Sequence, residues 1–429
     1  MKNMLPTLIK LVFRIKIYVF SFLTFISVSC NSVKWHTFQA NNQRTGFVDR
    51  PEVRTPEIKW KTYIGIQGYL NNTIINSGDV YVGSSGNTHN QPDSLDGIYS
   101  IKKSTGKINW HFKTLTDANG VAFSKNKIYA TSDDGYLRCI SAGDGKEIWS
   151  IQREGELYSQ PLVINNSVII GDATGVILII DINSGKIIKE NKVASSNVRG
   201  GLSSDGENIY ATFVEGVIAC LDKNGNLKWK VKGEFNDQFG EDFYGIYASP
   251  TIYDNNLIVP FIRSTYYDTP AVYAYNKTNG ELVWRATDNS GDTSGNVRSS
   301  VAIANGYIYY GSTYSNTLTR LNLADGILVN EYPMGKPTHP HWPSPVIANN
   351  MLYLGRHDGS FNAFDIKSNT LIWQLFIGDH NNTKQPKNKH TDWWNPQNGS
   401  VYATPSIDVD GTIYVGSGEG WLFAIRNKE

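Results

Sequence analysis

One unit recurs along this chain: Ser-Pro, four or five residues, a turn, a strand closing on Gly-Ser, a Gly, an apolar strand, then Thr-Gly-Lys and Trp. The closing positions are Trp60, Trp110, Trp149, Lys189, Trp229, Trp284, Asn330 and Trp373. Two of them have lost the Trp, yet GKIIKE (185–190) and DGILVNEY (325–332) keep the rest of the unit. A fixed-period unit of four short strands cannot bury its own faces and must stack on copies of itself, which is a propeller blade. Trp60 precedes every Ser-Pro hairpin, and the last unit (TPSIDVDGTIYVGSGEGWLFAI, 404–425) lacks a closing Trp. The strand EIKWKTYI (57–64) is therefore expected to complete the last blade and close the ring, removing exposed sheet edges. This predicts an all-β chain of eight four-stranded antiparallel blades, with seven the alternative count. A load of 39 Gly and 12% aromatic residues agrees with many strands and tight turns.

Residues 1–29 read as targeting sequence rather than fold. Lys2, Lys10, Arg14 and Lys16 precede an apolar run from Ile17 to Val28, too short to span a bilayer. Cys30 follows Ser-Val-Ser and resembles the lipidated cysteine of a bacterial lipoprotein, although Ser27 stands where Leu is usual. The expected organisation is a signal peptide (1–29) and one propeller domain (30–429), exported and lipid-anchored at Cys30 in the outer membrane or facing the periplasm. Removing the four basic residues takes the formal charge from +1 to −3, which argues against nucleic acid as a partner. Cys139 and Cys220 fall in equivalent strands two repeats apart, too far to bridge, and are expected as small buried core residues.

The repeat, together with the opening WHTFQANNQRTGF (35–47), resembles the PQQ-like propeller repeat superfamily. That resemblance implies the fold strongly and the function weakly, because propellers host unrelated activities. Members include quinoprotein alcohol dehydrogenases and the outer-membrane assembly lipoprotein BamB. The dehydrogenases imply a quinone, a calcium site and adjacent cysteines; this chain has no Cys-Cys pair, so PQQ with calcium is not expected. Zinc is unsupported, since His339, His341, His357, His380 and His390 match no known ligand spacing, although His339 and His341 could bind it with a remote third His if loops converge.

Ornament is confined to one face. Turns of the first and third kind within each unit are short (INNS, YDNN, IANG, IANN; STGK, NSGK, TNGE), as hairpin chemistry demands. Insertions fall in the other two connections, at 84–97, 232–245, 261–271, 286–296, 333–341 and 378–399. The residue three before the Pro of Ser-Pro, or before the residue that aligns with that Pro in the other units, sits where the chain enters the innermost strand. It reads Leu70, Ala118, Tyr158, Arg199, Tyr247, Arg298, Trp342 and Tyr402. Six consecutive units thus aim rings and guanidiniums at one funnel mouth, whereas a purely structural ring favours small apolar groups. Each has an ordinary alternative: a ring near the axis packs, and Arg199 or Arg298 pairs with a carboxylate such as Asp242 or Asp292.

Those residue types suggest an anionic carbohydrate ligand. Two arginines two blades apart can clamp a carboxylate, and Trp342, Trp393 and Trp394 offer flat faces on which sugars stack. The sequence therefore suggests a lyase or dehydratase that performs β-elimination on a uronate-containing oligosaccharide. Arg199 and Arg298 would neutralise the carboxylate, with Tyr247 and His341 as acid and base. Tyr158, Arg356, His357 and Tyr402 would line the same funnel. The alternatives are a BamB-like outer-membrane scaffold and a PQQ-dependent dehydrogenase.

Overall fold

The computed structural model describes residues 35–68, 70–233, 245–262, 272–286, 297–311, 317–334, 342–378 and 399–429. Among them, every regular element is a strand. Eight sheets of at least four strands form eight antiparallel blades, which settles the count at eight rather than seven. Blade 1 runs from axis to rim as Ile74–Ile75, Asp79–Ser85, Asp96–Lys102 and Ile108–Lys113. Blades 2 to 7 follow at 118–152, 162–192, 203–232, 251–285, 302–333 and 346–376. Blade 8 takes its first three strands from 406–427 and its outermost from Pro56–Tyr63, which pairs antiparallel with Trp421–Asn427. The expected strand at 57–64 therefore closes the ring. Asn165, Asp254, Asn305 and Asn349 turn the innermost hairpins with φ between 50° and 53°, the left-handed conformation that Asn and Asp tolerate best.

Burial follows radius. The third strand of a blade, such as Val176–Asp181, is buried on both faces between its neighbours. The outermost, such as Ile187–Lys192, alternates half-buried and exposed. Cys139 and Cys220 are free thiols buried in blades 2 and 4.

The closing Trp of each unit welds one blade to the next. A bulge in the pairing of third and fourth strands precedes it in every blade, as between Ile58 and Trp60 or between Glu147 and Trp149. Bulges re-aim side chains, and here the indole is sent across the blade boundary. Trp60, Trp110, Trp149, Trp229, Trp284 and Trp373 each donate Nε1–H to a backbone carbonyl of the following turn, at 2.7–3.4 Å. In all of these but Trp373 the ring then lies on a glycine. A Cβ on Gly145 would meet Trp110 at 2.7 Å, and φ there is +72°, so the Gly of Thr-Gly-Lys is required twice over.

The third-strand residue paired with this Trp is always small: Ser100, Cys139, Cys220, Ala274, Ala363 or Ala424. Where the Trp is missing, the partner is large. Ile179 faces Lys189, and Arg320 faces Asn330. Volume lost on one strand is thus returned by the other.

Residues 35–50 form a lead-in that runs beneath the innermost strands and touches all eight blades. The carbonyls of Trp35, His36, Asn42, Gln43, Thr45 and Gly46 accept from the amides of Ile75, Phe123, Ser204, Ile252, Ile303 and Ile347 at 2.7–2.9 Å. Asn42 Nδ2 donates to Val163 O at 3.0 Å, and the Arg50 guanidinium donates to Ile407 O. Phe47–Val48 adds a fifth, parallel strand to the inner edge of blade 7. Arg44, fully buried, anchors the middle by donating to Leu202 O (2.8 Å), Phe38 O (2.8 Å) and Thr37 Oγ1 (2.5 Å). These contacts fall at the far ends of the inner strands, on the face of the short turns.

Candidate binding site

The funnel mouth carries two stacks of cations and rings. Arg199 lies between two tyrosines, its guanidinium carbon 4.8 Å from the Tyr158 ring centroid and 4.6 Å from that of Tyr247. Arg298 lies 4.7 Å from the Trp342 ring centroid. Trp342 leads to Tyr402 at 6.1 Å between centroids, and Tyr402 to His357 at 5.7 Å. Blades 3 to 7 thus place Tyr158, Arg199, Tyr247, Arg298 and Trp342 in ring–cation contacts, with Tyr402 of blade 8 packed against Trp342. Stacking uses the faces of a guanidinium, whereas its hydrogen bonds run in its plane, so rings and an oxyanion can be served together.

The members differ in depth. Tyr158, Arg199, Tyr247, Arg298 and His357 are half-buried, whereas Trp342 and Tyr402 are buried. Tyr402 stands behind Trp342, its hydroxyl hydrogen-bonded to His357 Nδ1, and burial pushes that hydroxyl well above its ordinary pKa. Ser400 Oγ lies 3.2 Å from the same nitrogen. Tyr402 and His357 thus support the collar rather than open onto it. Arg356 is only 5% exposed and pairs with Asp358 at 3.3 Å, so it too lies beneath the surface expected of a ligand contact. His341, Trp393, Trp394 and Cys30, with Asp242, Asp292, His339, His380 and His390, lie outside the described residues.

Below the collar the channel narrows onto the lead-in. Leu70, Gln160, Tyr247, Ser249, Arg298, Ser300, Trp342 and Ser344 line a recess with Phe38 of the lead-in among its walls. The sequence gives no hint of that floor, because the lead-in is brought there by contacts far apart in sequence. It also hides the purpose of the hydroxyl residue at the Ser-Pro position of blades 5 to 8. Ser249 Oγ accepts from Gly201 N (2.6 Å), Ser300 Oγ from Ser249 N (2.9 Å), Ser344 Oγ from Ser300 N (3.0 Å) and Thr404 Oγ1 from Ser344 N (3.2 Å). This chain of staples fixes successive leaders at one height.

Blades 1 and 2 hold buried carboxylates that sequence reasoning missed. Asp117, almost fully buried, holds His89 Nδ1 at 2.5 Å and accepts from Asn90 N. Asp133 accepts from Asn119 Nδ2 at 2.6 Å. Burial, outweighing that bond, raises the Asp133 pKa to about 7, and nearby Asp117 adds to the shift. Burial likewise brings Asp96 to about 6. The signal lay in Leu70 and Ala118: small leaders in these two blades leave room for the carboxylates beside them.

Among the described residues no three His, Cys, Asp or Glu converge as a metal set. The two described thiols sit in separate blades.

A family model described as "Outer membrane protein assembly factor BamB" matches residues 96–232 and 173–429. The chain belongs to this PQQ-like β-propeller family. Among curated relatives of this propeller, tetrathionate hydrolase of Acidithiobacillus ferrooxidans is 25% identical over 303 residues, 61% of this chain and 58% of that protein. BamB of Taylorella asinigenitalis is 33% identical over 99 residues, 23% of this chain and 26% of that one. BamB of Moranella endobia is 22% identical over 280 residues, 61% and 67% of the respective chains. The PQQ-like chain thus spans less than two thirds of the first two of these relatives. Among solved structures, BamB from Moraxella catarrhalis superposes with a TM-score of 0.65 at 15% identity, covering 87% of this chain and all of that one. A europium-containing methanol dehydrogenase superposes with a TM-score of 0.69 at 14% identity, covering 94% and 99%. At such identities these two likenesses speak for the fold alone.

Proposed function

We propose that the chain is a BamB-like docking propeller of the bacterial envelope, exported by residues 1–29, tethered through Cys30, and serving outer-membrane protein assembly. The collar receives an anionic segment of its partner. The observation that carries this reading is the pair of arginines stacked on rings, Arg199 on Tyr158 and Tyr247, Arg298 on Trp342. Rings hold the guanidiniums in place before the partner arrives, so little side-chain entropy is lost on binding. The floor supplied by the lead-in favours a segment that inserts over one that threads through. The family match over 96–429 supports the scaffold reading better than the β-eliminating lyase.

The test is loss and rescue in the source bacterium. Without the chain, outer-membrane β-barrel proteins should fall in abundance, and the wild-type chain should restore them. The Arg199→Gln, Arg298→Gln double variant should restore them poorly while folding normally, and Cys30→Ser should leave the membrane fraction. Unchanged outer-membrane composition after loss would sink the proposal.

A second reading has one observation behind it: the 303-residue similarity to a tetrathionate hydrolase joins a collar suited to small anions. Under it the same pit turns over an anion, with Arg199 and Arg298 steadying negative charge and Tyr247 moving a proton. Uronate β-elimination is one such reaction. Purified protein incubated with tetrathionate, and separately with a panel of uronate oligosaccharides followed by ultraviolet absorbance, should stay silent under the docking reading.

A further inference from the structure

Four hydroxyls at the foot of the collar carry a proton with nowhere to place it. Ser249, Ser299, Ser300 and Ser344 line the recess below the mouth, and each is at most 2% exposed. Ser249, Ser300 and Ser344 already accept a backbone N–H through Oγ, so the role left to each is donation. No acceptor for these O–H groups stands among the described residues, and Ser299 Oγ has no hydrogen-bond partner there at all. Buried polar groups are nearly always paired. Four unused donors in one recess therefore call for an acceptor that the chain itself does not supply.

The charge of the lining agrees. Arg298, held against the Trp342 ring, is the cation among the lining residues, and no carboxylate is one of them. Phe38 forms part of the same wall, and the fully buried Arg44 guanidinium lies 5.8 Å from the centroid of that ring while donating to Phe38 O at 2.8 Å. Among the described residues Arg44 bonds to carbonyls and one hydroxyl, with no carboxylate to offset its charge. Buried charge of this kind is screened little. The free space in the recess is about 20 Å³, where one water needs ~10–15 Å³. A carboxylate fits such a space, whereas a large side chain or a sugar ring does not. One acceptor in the lining is also unused. Gln160 donates from Nε2 to Leu70 O at 2.5 Å, which fixes its amide and leaves Oε1 without a partner among the described residues.

We propose that the recess binds a carboxylate, that of the last residue of an extended chain entering the funnel end first. The inference rests on the docking reading above and names the part of the partner that docks. The serine hydroxyls and Arg298 receive the carboxylate oxygens, in charge-assisted bonds stronger than neutral ones. The N–H of the same last residue is the donor that Gln160 Oε1 lacks; a bare anion would leave that acceptor unserved. Phe38 and the rest of the lead-in close the way onward, so a chain that reaches the recess ends there. The backbone staples fix the hydroxyls before the ligand arrives, which limits the ordering that binding requires.

Calorimetric titration of the purified full chain at low ionic strength tests this with an N-acetylated pentapeptide of Gly and Ser. The peptide with a free carboxyl end should bind, its C-terminal amide should not, and acetate should bind more weakly than the acid peptide. Ser299→Ala removes a hydroxyl that bonds to nothing else in the described chain. Its unfolding midpoint should hold or rise, which guards against a misfolded control, while the acid peptide weakens by about tenfold. An amidated peptide with internal aspartates separates this inference from the reading on which it rests. If that peptide binds as tightly as the acid peptide, end-first entry is overturned and anionic docking stands. Silence from both peptides overturns both. Equal binding of acid and amide forms, acetate as tight as the acid peptide, or a Ser299→Ala protein that binds undiminished also overturns the proposal.

Discussion

At Asp133, burial opposes ionisation while the Asn119 amide favours it, and burial wins, bringing the carboxyl to about 7. Unfolded, the same group ionises near 3.8. The folded state therefore binds a proton that the unfolded chain releases between these values. The resulting stability is complete below pH 4 and is lost as pH rises through 7. Asp96, raised to about 6, acts in the same direction. Denaturant midpoints should fall between pH 4 and pH 8, and Asp133→Asn, which keeps an acceptor for Asn119, should flatten part of that slope. A slope unchanged in the variant would refute the assignment. None of this was legible in TSDDGYL, because the shift comes from what surrounds Asp133 and not from its neighbours in sequence. The collar was legible for the opposite reason: Tyr158 through Tyr402 recur at one spacing before each hairpin, and spacing survives in sequence.

The blade is the element at which sequence and structure agree most closely. Gly, Trp and the short turns each answer a local demand, and local demands leave local marks. Gly145 is the clearest case, needing both a positive φ and bare space beneath Trp110. Gly145→Ala should cost about 1–3 kcal/mol from the backbone alone, with further loss as the indole is displaced, read as a lower unfolding midpoint. A comparable alanine at Gly143, where an added Cβ meets nothing within 4 Å, should change the midpoint far less. The Arg320–Asn330 exchange was half legible. The missing Trp shows in DGILVNEY, but its replacement lies on another strand, and only the pairing register brings the two together.

For the whole molecule, the seam between the first and last strands decides whether there is a ring at all. Trp60 is buried there, bonded to Lys103 O at 2.8 Å and seated on Gly106. Trp60→Ala should cost roughly 3–5 kcal/mol, and because the blades lean on each other in a circle, the whole ring should unfold earlier in a single transition. A separate early transition confined to blade 8 would contradict that coupling. Ring closure was legible because a Trp stood at the start without its hairpin and a hairpin stood at the end without its Trp. The path of the lead-in was not, since most of its bonds to the blades use peptide oxygens that every residue carries.

That lead-in has a bearing on how the protein comes into being. Residues 35–50 leave the ribosome before any blade exists, yet Gln39 finds Val301 O only 262 positions later, and Arg50 waits 357 for Ile407. The molecule must be wound about a thread already in place, and contacts so distant in sequence make for slow assembly. Until the final turn of winding, the inner edges of the blades stand unpaired and adhesive. A nascent chain of this kind gains from an escort that shields those edges until the last blade arrives.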